Sequence, residues 1–242
     1  MEANPRTSAL VEVAKENNLV KQAEALLKVS GANPNWQFTQ AEQSEDIQVL
    51  AIPLKGRAGN MFVSFKDNQV FDVTLTVVND QGIATYLDLA NRYGLRLNLS
   101  SKAVLSAGRI PTLTPQTLVP IDAIEFLSEE ELTPLGYYDP TGCVPDALYE
   151  RLISAQEAYE SARDAFLLAA AAATYKAIEA ARICYTAETI VTVPACLKAS
   201  REAAIAAVSA AYLASRMRQA ANKVEQIRDL INERMRQCRN TK

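Results

Sequence analysis

Two hydrophobic periodicities divide the chain. Between residues 7 and 31 apolar positions recur at helical spacing: Leu10, Val11, Val13 and Ala14, then Val20, Ala23, Leu26 and Leu27, with Gly31 as the stop. The Asn17-Asn18 pair predicts a break into two short helices. From residue 46 the period falls to two. Residues 46–56, 60–67 and 68–80 alternate and are rich in Val, Ile, Phe and Thr. The short KGRAGN and KDNQ pieces between them read as hairpin turns. This predicts an antiparallel meander of at least three strands. Residues 83–97 predict a further strand leading into a short helix. Pro111, Pro115, Pro120, Pro134 and Pro140 make residues 101–142 an extended connector, with one helical turn expected at 128–132.

After Cys143 the period becomes helical and stays so. Pro145 and Asp146 suit a first turn. Leu148, Leu152, Ala155, Tyr159, Ala162, Phe166, Ala169 and Ala173 follow at steps of three and four. One extra step of four then leads to Ala177, Ala180 and Cys184. This is a heptad seam with a stutter, as in coiled coils. Beta-branched residues and Pro194 interrupt it. A second seam runs from Cys196 through Ala199, Ala203, Ala206, Ala210, Leu213, Met217, Ala220, Val224, Ile227 and Ile231, passes Arg234 and reaches Cys238. Two long helices joined by a short turn pack antiparallel. The expected class is therefore α+β. A small domain over 1–100, an antiparallel β-meander with helices, is followed by a Pro-rich connector over 101–142 and a long antiparallel helical hairpin over 143–242.

The cysteines test the hairpin independently. Facing residues of an antiparallel pair have numbers with a nearly constant sum. Cys184 with Cys196 gives 380, and Cys143 with Cys238 gives 381. Of the three connectivities open to four cysteines, only this one avoids bonds along most of the hairpin. The expected disulfides are Cys143–Cys238 and Cys184–Cys196, with four buried free thiols as the alternative. A single four-cysteine zinc site conflicts with pairs at opposite ends.

Composition narrows the chemistry. All eight glycines precede Cys143, in keeping with a turn-rich first part and a helical second. Histidine is absent, which removes Ser-His-Asp and Cys-His catalysis and every His-containing metal site. The sequence has no GxGxxG or Walker lysine, and Val104 stands where a GxSxG frame around Ser106 needs glycine. Glu129, Glu130 and Glu131 read as a solvated acidic run. The net charge of −3 argues against nucleic acid. That charge is uneven, −6 over residues 1–142 and +3 over 143–242. The late bases Arg216, Arg218, Lys223, Arg228, Arg234, Arg236, Arg239 and Lys242 face only Glu225, Asp229 and Glu233. They read as a solvated face or as a contact for an anionic membrane or acidic partner.

The hairpin also carries more apolar surface than one seam uses. Phe166, Leu167, Leu168, Ile205, Val208 and Tyr212 cannot all point into a two-helix interface, so they are the candidate interaction residues. The N-terminal domain, another copy of the chain or lipid are the three candidate covers.

Residues 46–80, a strand with Ile52-Pro53-Leu54, a glycine turn, a Met61–Phe65 strand and a third strand from Asn68, resemble the N-terminal part of halocin-like secreted bacteriocin precursors. There a small β-containing domain precedes a cysteine-bearing apolar peptide. The C-terminal part departs from that pattern, with four widely spaced cysteines and no glycine. The resemblance implies an antimicrobial role, and no functional residue carries over with it.

The functional expectation is a non-enzymatic exported protein without cofactor or metal. It would bind a protein partner or itself through the hairpin. Disulfides place it outside the cell or at its surface. The first residues hold no basic and apolar leader pattern, so export implies a leader that was cleaved or that lies outside this sequence. The alternative is a membrane-active, bacteriocin-like toxin that inserts the Ala-rich hairpin.

Overall fold

The computed structural model describes residues 5–44, 46–127, 144–185 and 193–240. Helix α1 (Pro5–Glu16) stops where the sequence places a break, and α2 (Asn18–Val29) follows at once. Asn17 is the cause. Its backbone is extended and its side chain accepts from Leu19 N at 2.8 Å, which caps the second helix.

An antiparallel sheet follows. Its strands are β1 (Asn33–Pro34), β2 (Gln40–Ser44), β3 (Ile47–Lys55), β4 (Gly59–Lys66), β5 (Gln69–Val78), β6 (Ile83–Asp88), β7 (Tyr93–Asn98) and β8 (Ala103–Arg109). The order is β1-β3-β4-β5-β6-β7-β8, and β2 pairs with the first half of β3. The hairpin turn expected at KDNQ joins β4 to β5 through two residues. Asp67 and Asn68 both take positive φ between paired Lys66 and Gln69.

Three expectations need correction. The helix expected near residue 90 is a turn between β6 and β7. Asp88 Oδ1 accepts from Asn91 N at 2.7 Å and Arg92 takes φ 53°, so the chain reverses before a helical turn can form. The boundary expected at residue 100 falls inside the sheet, because 103–109 is β8 rather than connector. Two strands, β1 and β2, precede the first strand anticipated. The helical turn expected at 128–132 lies outside the described residues.

Helices α3 (Asp146–Tyr185) and α4 (Val193–Asn240) complete the chain, and the architecture is α+β. Two compact units are present, and each long helix contributes to both. The first comprises residues 1–129 and 169–211, the second residues 130–168 and 212–242.

In the first unit the sheet is covered on both faces. Leu50, Ile52, Met61, Val63, Val73, Leu75 and Leu87 point to one side. There they meet Val20, Ala23, Leu26 and Leu27 of α2 and the segment carrying Ile110, Ile121 and Ile124. That segment is tied to α2 by polar contacts. Ser30 Oγ accepts from Ile121 N at 2.9 Å, and Gln22 donates to Leu113 O at 2.8 Å. On the other side Ile47, Val49, Ala51 and Phe62 meet Ala177 and Ala180 of α3 and Ala199, Ala203, Ala204, Ala207 and Val208 of α4. Alanine on the helices lets their backbones lie close to the strands. Asn60 Nδ2, on β4, donates to the main-chain carbonyl of Ala177 at 2.6 Å.

The second unit is built on Leu152 and Ala155 of α3 with Val224, Ile227 and Ile231 of α4, joined by Val144. The five helix residues are seam positions named from the sequence, and Val144 is not.

Candidate functional site

The end of α3 and the start of α4 are bridged as the residue-number sum required. Cys184 and Cys196 form a disulfide with Cα atoms 4.7 Å apart. Lys176 of α3 bridges Glu202 of α4 at 3.1 Å, at nearly the same sum. Hydrogen bonds donated to Glu179 and Glu202 hold the Lys176 ammonium above its ordinary pKa. Cys238 is also disulfide-bonded. Cys143, its expected partner, lies outside the described residues.

The six candidate interaction residues do not form one exposed set. Phe166 is fully buried, as its place on the seam dictates, and Leu167 is half-buried. Val208 is 7% exposed because it lies in the cluster that packs on the sheet. Neither Phe166 nor Val208 is available to a partner. Leu168 (76% exposed), Ile205 (53%) and Tyr212 (47%) remain at the surface. Leu168 and Tyr212 belong to the second unit and Ile205 to the first. Part of the surplus apolar band is thus covered by the N-terminal sheet, one of the three covers considered.

The sequence did not point to the most polar interior of the molecule. It lies on the sheet face opposite α1 and α2. Asn60 pairs with Thr76, and Thr76 with Tyr86. Ser64 pairs with Asp72, and Thr74 with Asp88. All seven are buried. The Thr74 hydroxyl donates to Asp72 Oδ2 at 3.4 Å and hydrogen-bonds the Tyr86 phenol. Asp88 accepts from Asn91 through both carboxylate oxygens. Burial pushes the Tyr86 phenol well above its ordinary pKa, and the nearby Asp88 and Asp72 carboxylates push it further. A phenol held neutral between two acids is a hydrogen-bond donor, not a base or a nucleophile. Thr76 Oγ1 and Asn60 Oδ1 have no hydrogen-bond partner among the described residues.

This cluster is closed rather than open to a substrate. Among the described residues no group of three or more Asp, Glu, Cys or His is placed to hold a metal ion. The signal in the sequence was Asp72-Val-Thr74-Leu-Thr76-Val, which reads as a strand with one solvated face. Nothing local reveals that this face is covered.

Comparisons with family models, with characterised proteins and with solved structures return no match.

Proposed function

We propose that this is a non-enzymatic protein of an oxidising, extracellular or cell-surface setting that works by binding or assembly, with the disulfide-closed helical hairpin as its rigid presenting element. The observation that carries this reading is the Cys184–Cys196 bridge between the end of α3 and the start of α4. Such a bond persists where thiols are not kept reduced. It also suppresses fraying at these helix ends and fixes the register of the two helices. Exposed Leu168, Ile205 and Tyr212 supply apolar contact points beside charged side chains. The sealed polar cluster on the sheet is consistent with a structural rather than a catalytic task.

The membrane-active alternative has less support. Insertion of the hairpin centre would first have to strip Ala203, Ala204, Ala207 and Val208 from the sheet. No helix, among the described residues, is long and apolar enough to cross a membrane.

Two measurements on protein taken from its native source without reductant test the proposal. Peptide mapping should recover Cys184 and Cys196 as one cross-linked pair, and reduced thiols would overturn the compartment. Native sizing should place the protein in a species larger than its 26.4 kDa monomer. A monomer throughout the native extract would overturn binding or assembly as its work.

A further inference from the structure

The second unit presents two exposed stripes of opposite charge. On α3 the stripe is Glu150, Ile153, Glu157, Glu160, Asp164 and Leu168, all exposed and spaced by three or four residues. On α4 it is Tyr212, Arg216, Lys223, Leu230 and Arg234, with Gln219 and Gln226 filling the intervening turns, again all exposed. Neither stripe lies on the seam that joins the two helices, so each faces away from the partner helix. The charge follows the same division. Within the unit α3 has five acids and two arginines, and α4 has seven bases and three acids.

The spacing matches as well as the sign. From Leu168 toward the start of α3, Asp164 is four residues away and Glu157 a further seven. From Tyr212 toward the end of α4, Arg216 is four residues away and Lys223 a further seven. An antiparallel helix pair would therefore set Leu168 against Tyr212, Asp164 against Arg216 and Glu157 against Lys223 in a single register. Continuing outward, Ile153 and Leu230 differ by three residues in their distance from that origin, about 4.5 Å along the axis. That offset lets the two side chains straddle. A parallel pair can also set Glu157 against Arg216 and Asp164 against Lys223, with Ile153 against Tyr212, but it leaves exposed Leu168 and Leu230 without an exposed apolar counterpart.

We propose that the α3 stripe of one copy docks antiparallel on the α4 stripe of a second copy of this chain. This deepens the assembly reading above and rests on it. Charge complementarity selects the occupant. An anionic bilayer would attract the α4 stripe and repel the α3 stripe of the same unit, whereas a second copy satisfies both. The contact is heterologous, since it uses a different surface on each partner. A free acidic stripe is left at one end and a free basic stripe at the other, so growth is open-ended or closes into a ring. Exposed ion pairs are individually weak, so the association depends on concentration and salt.

Sedimentation velocity of the full, oxidised chain tests this at low salt and at about 0.5 M salt, where screening shortens to a few ångströms. The mean mass should rise with concentration at low salt. High salt should weaken the association roughly tenfold or more. Glu157→Lys with Asp164→Lys should abolish it, and so should Arg216→Glu with Lys223→Glu. An equimolar mixture of the two double variants should restore it, because each reversed stripe then meets a complement. All four changes in one chain should restore it as well, which separates loss of contact from loss of fold. A monomer at every concentration, indifference to both double variants, or failure of the mixture and the fourfold variant to recover would each overturn the proposal. Binding to vesicles rich in anionic lipid, lost in the Arg216→Glu, Lys223→Glu variant without any self-association, would reassign the α4 stripe to a membrane. If the recombinant chain is monomeric but native sizing still finds a larger species, only the self-docking proposal fails.

Discussion

The contact between the sheet and the alanine face of α4 can be tested at one residue. Ala204, which lies off the helix–helix seam, is fully buried in the cluster that joins Val49, Ala51 and Phe62 to both long helices. Leucine at this position adds three heavy atoms and changes intrinsic helix propensity by only about 0.2 kcal/mol. On an open helix face the added side chain would bury some of itself against neighbours, at about 0.8 kcal/mol gained per buried methylene. Against a packed sheet the sign reverses. The larger side chain must push the helix from the strands or leave its rotamer well, at a cost of about 1–3 kcal/mol. Ala204→Leu should therefore lower the melting temperature by about 2–12 °C for a unit of this size. Ser209→Leu, at an exposed position on the same helix, should stay within about 0.5 kcal/mol of the parent. Trp36 is the only tryptophan and lies in the same unit, with its indole donating to Glu24 at 3.1 Å. Urea unfolding followed by its fluorescence reads that unit directly. If Ala204→Leu is as stable as Ser209→Leu, or more stable than the parent, the sheet does not cover this face.

Four further outcomes are expected. A Cβ on Gly59 would land on the Thr76 carbonyl oxygen of the paired strand, so Gly59→Ala should cost on the order of 2–4 kcal/mol in urea unfolding. Gly82→Ala meets no atom within 4 Å and should cost only about 1 kcal/mol for its φ of 74°. Cys184→Ser with Cys196→Ser opens a loop whose ends are 12 residues apart, a loss of about 3 kcal/mol by chain entropy, measurable against the oxidised parent. The Tyr86 phenol keeps its proton in the folded state beyond pH 10, whereas the unfolded chain releases it near that pH. Stability from this group is therefore intact below about pH 10 and declines as pH rises past it, until the folded phenol also ionises. Tyr86→Phe removes that decline, so its deficit against the parent should be smaller at about pH 11 than at about pH 8 in thermal unfolding.

What the sequence disclosed about the fold was periodic and local. The seams of α3 and α4 are the clearest case. Leu152, Ala155, Phe166, Ala173, Ala177 and Ala180 are buried on one helix, and Ala199, Ala203, Ala210, Met217, Val224, Ile227 and Ile231 on the other. A 3–4 repeat sustained for forty residues leaves no competing reading. Strands β3, β4 and β5 were legible because β-branched and aromatic runs end at turn residues. Strand β2 was not, because Gln40-Ala-Glu42-Gln-Ser44 is polar, as an edge strand that must resist further pairing is expected to be. Strand β8 was hidden by the prolines that follow it. The β6–β7 turn was misread because Leu-Asp-Leu-Ala-Asn-Arg has helical composition. Its fate was decided by one side chain, Asp88, bonding the backbone three residues on.

The candidate interaction residues show a different limit. An apolar excess on a helix establishes that something covers it, and says nothing of what. Phe166 is buried at a seam position, whereas Val208, off the seam, is buried in the cluster that packs on the sheet. The same reasoning explains why the buried polar face of the sheet escaped notice. Antiparallel sheets commonly leave one face in water, so Asp72, Thr74 and Thr76 alternating with Val73, Leu75 and Val77 match an ordinary amphipathic strand. Covering such a face is costly unless its polar groups find partners. Here Thr74 serves both Asp72 and Tyr86, and Asn91 serves Asp88. A face made of these residues accepts one arrangement of its neighbours far more readily than a purely aliphatic one would. The hydrogen bond from Asn60 to Ala177 O then selects one depth and one angle for α3 against β4. Polar residues on this side of the sheet therefore contribute specificity of docking, while the alanine face of the helices supplies the close approach that makes such short contacts reachable.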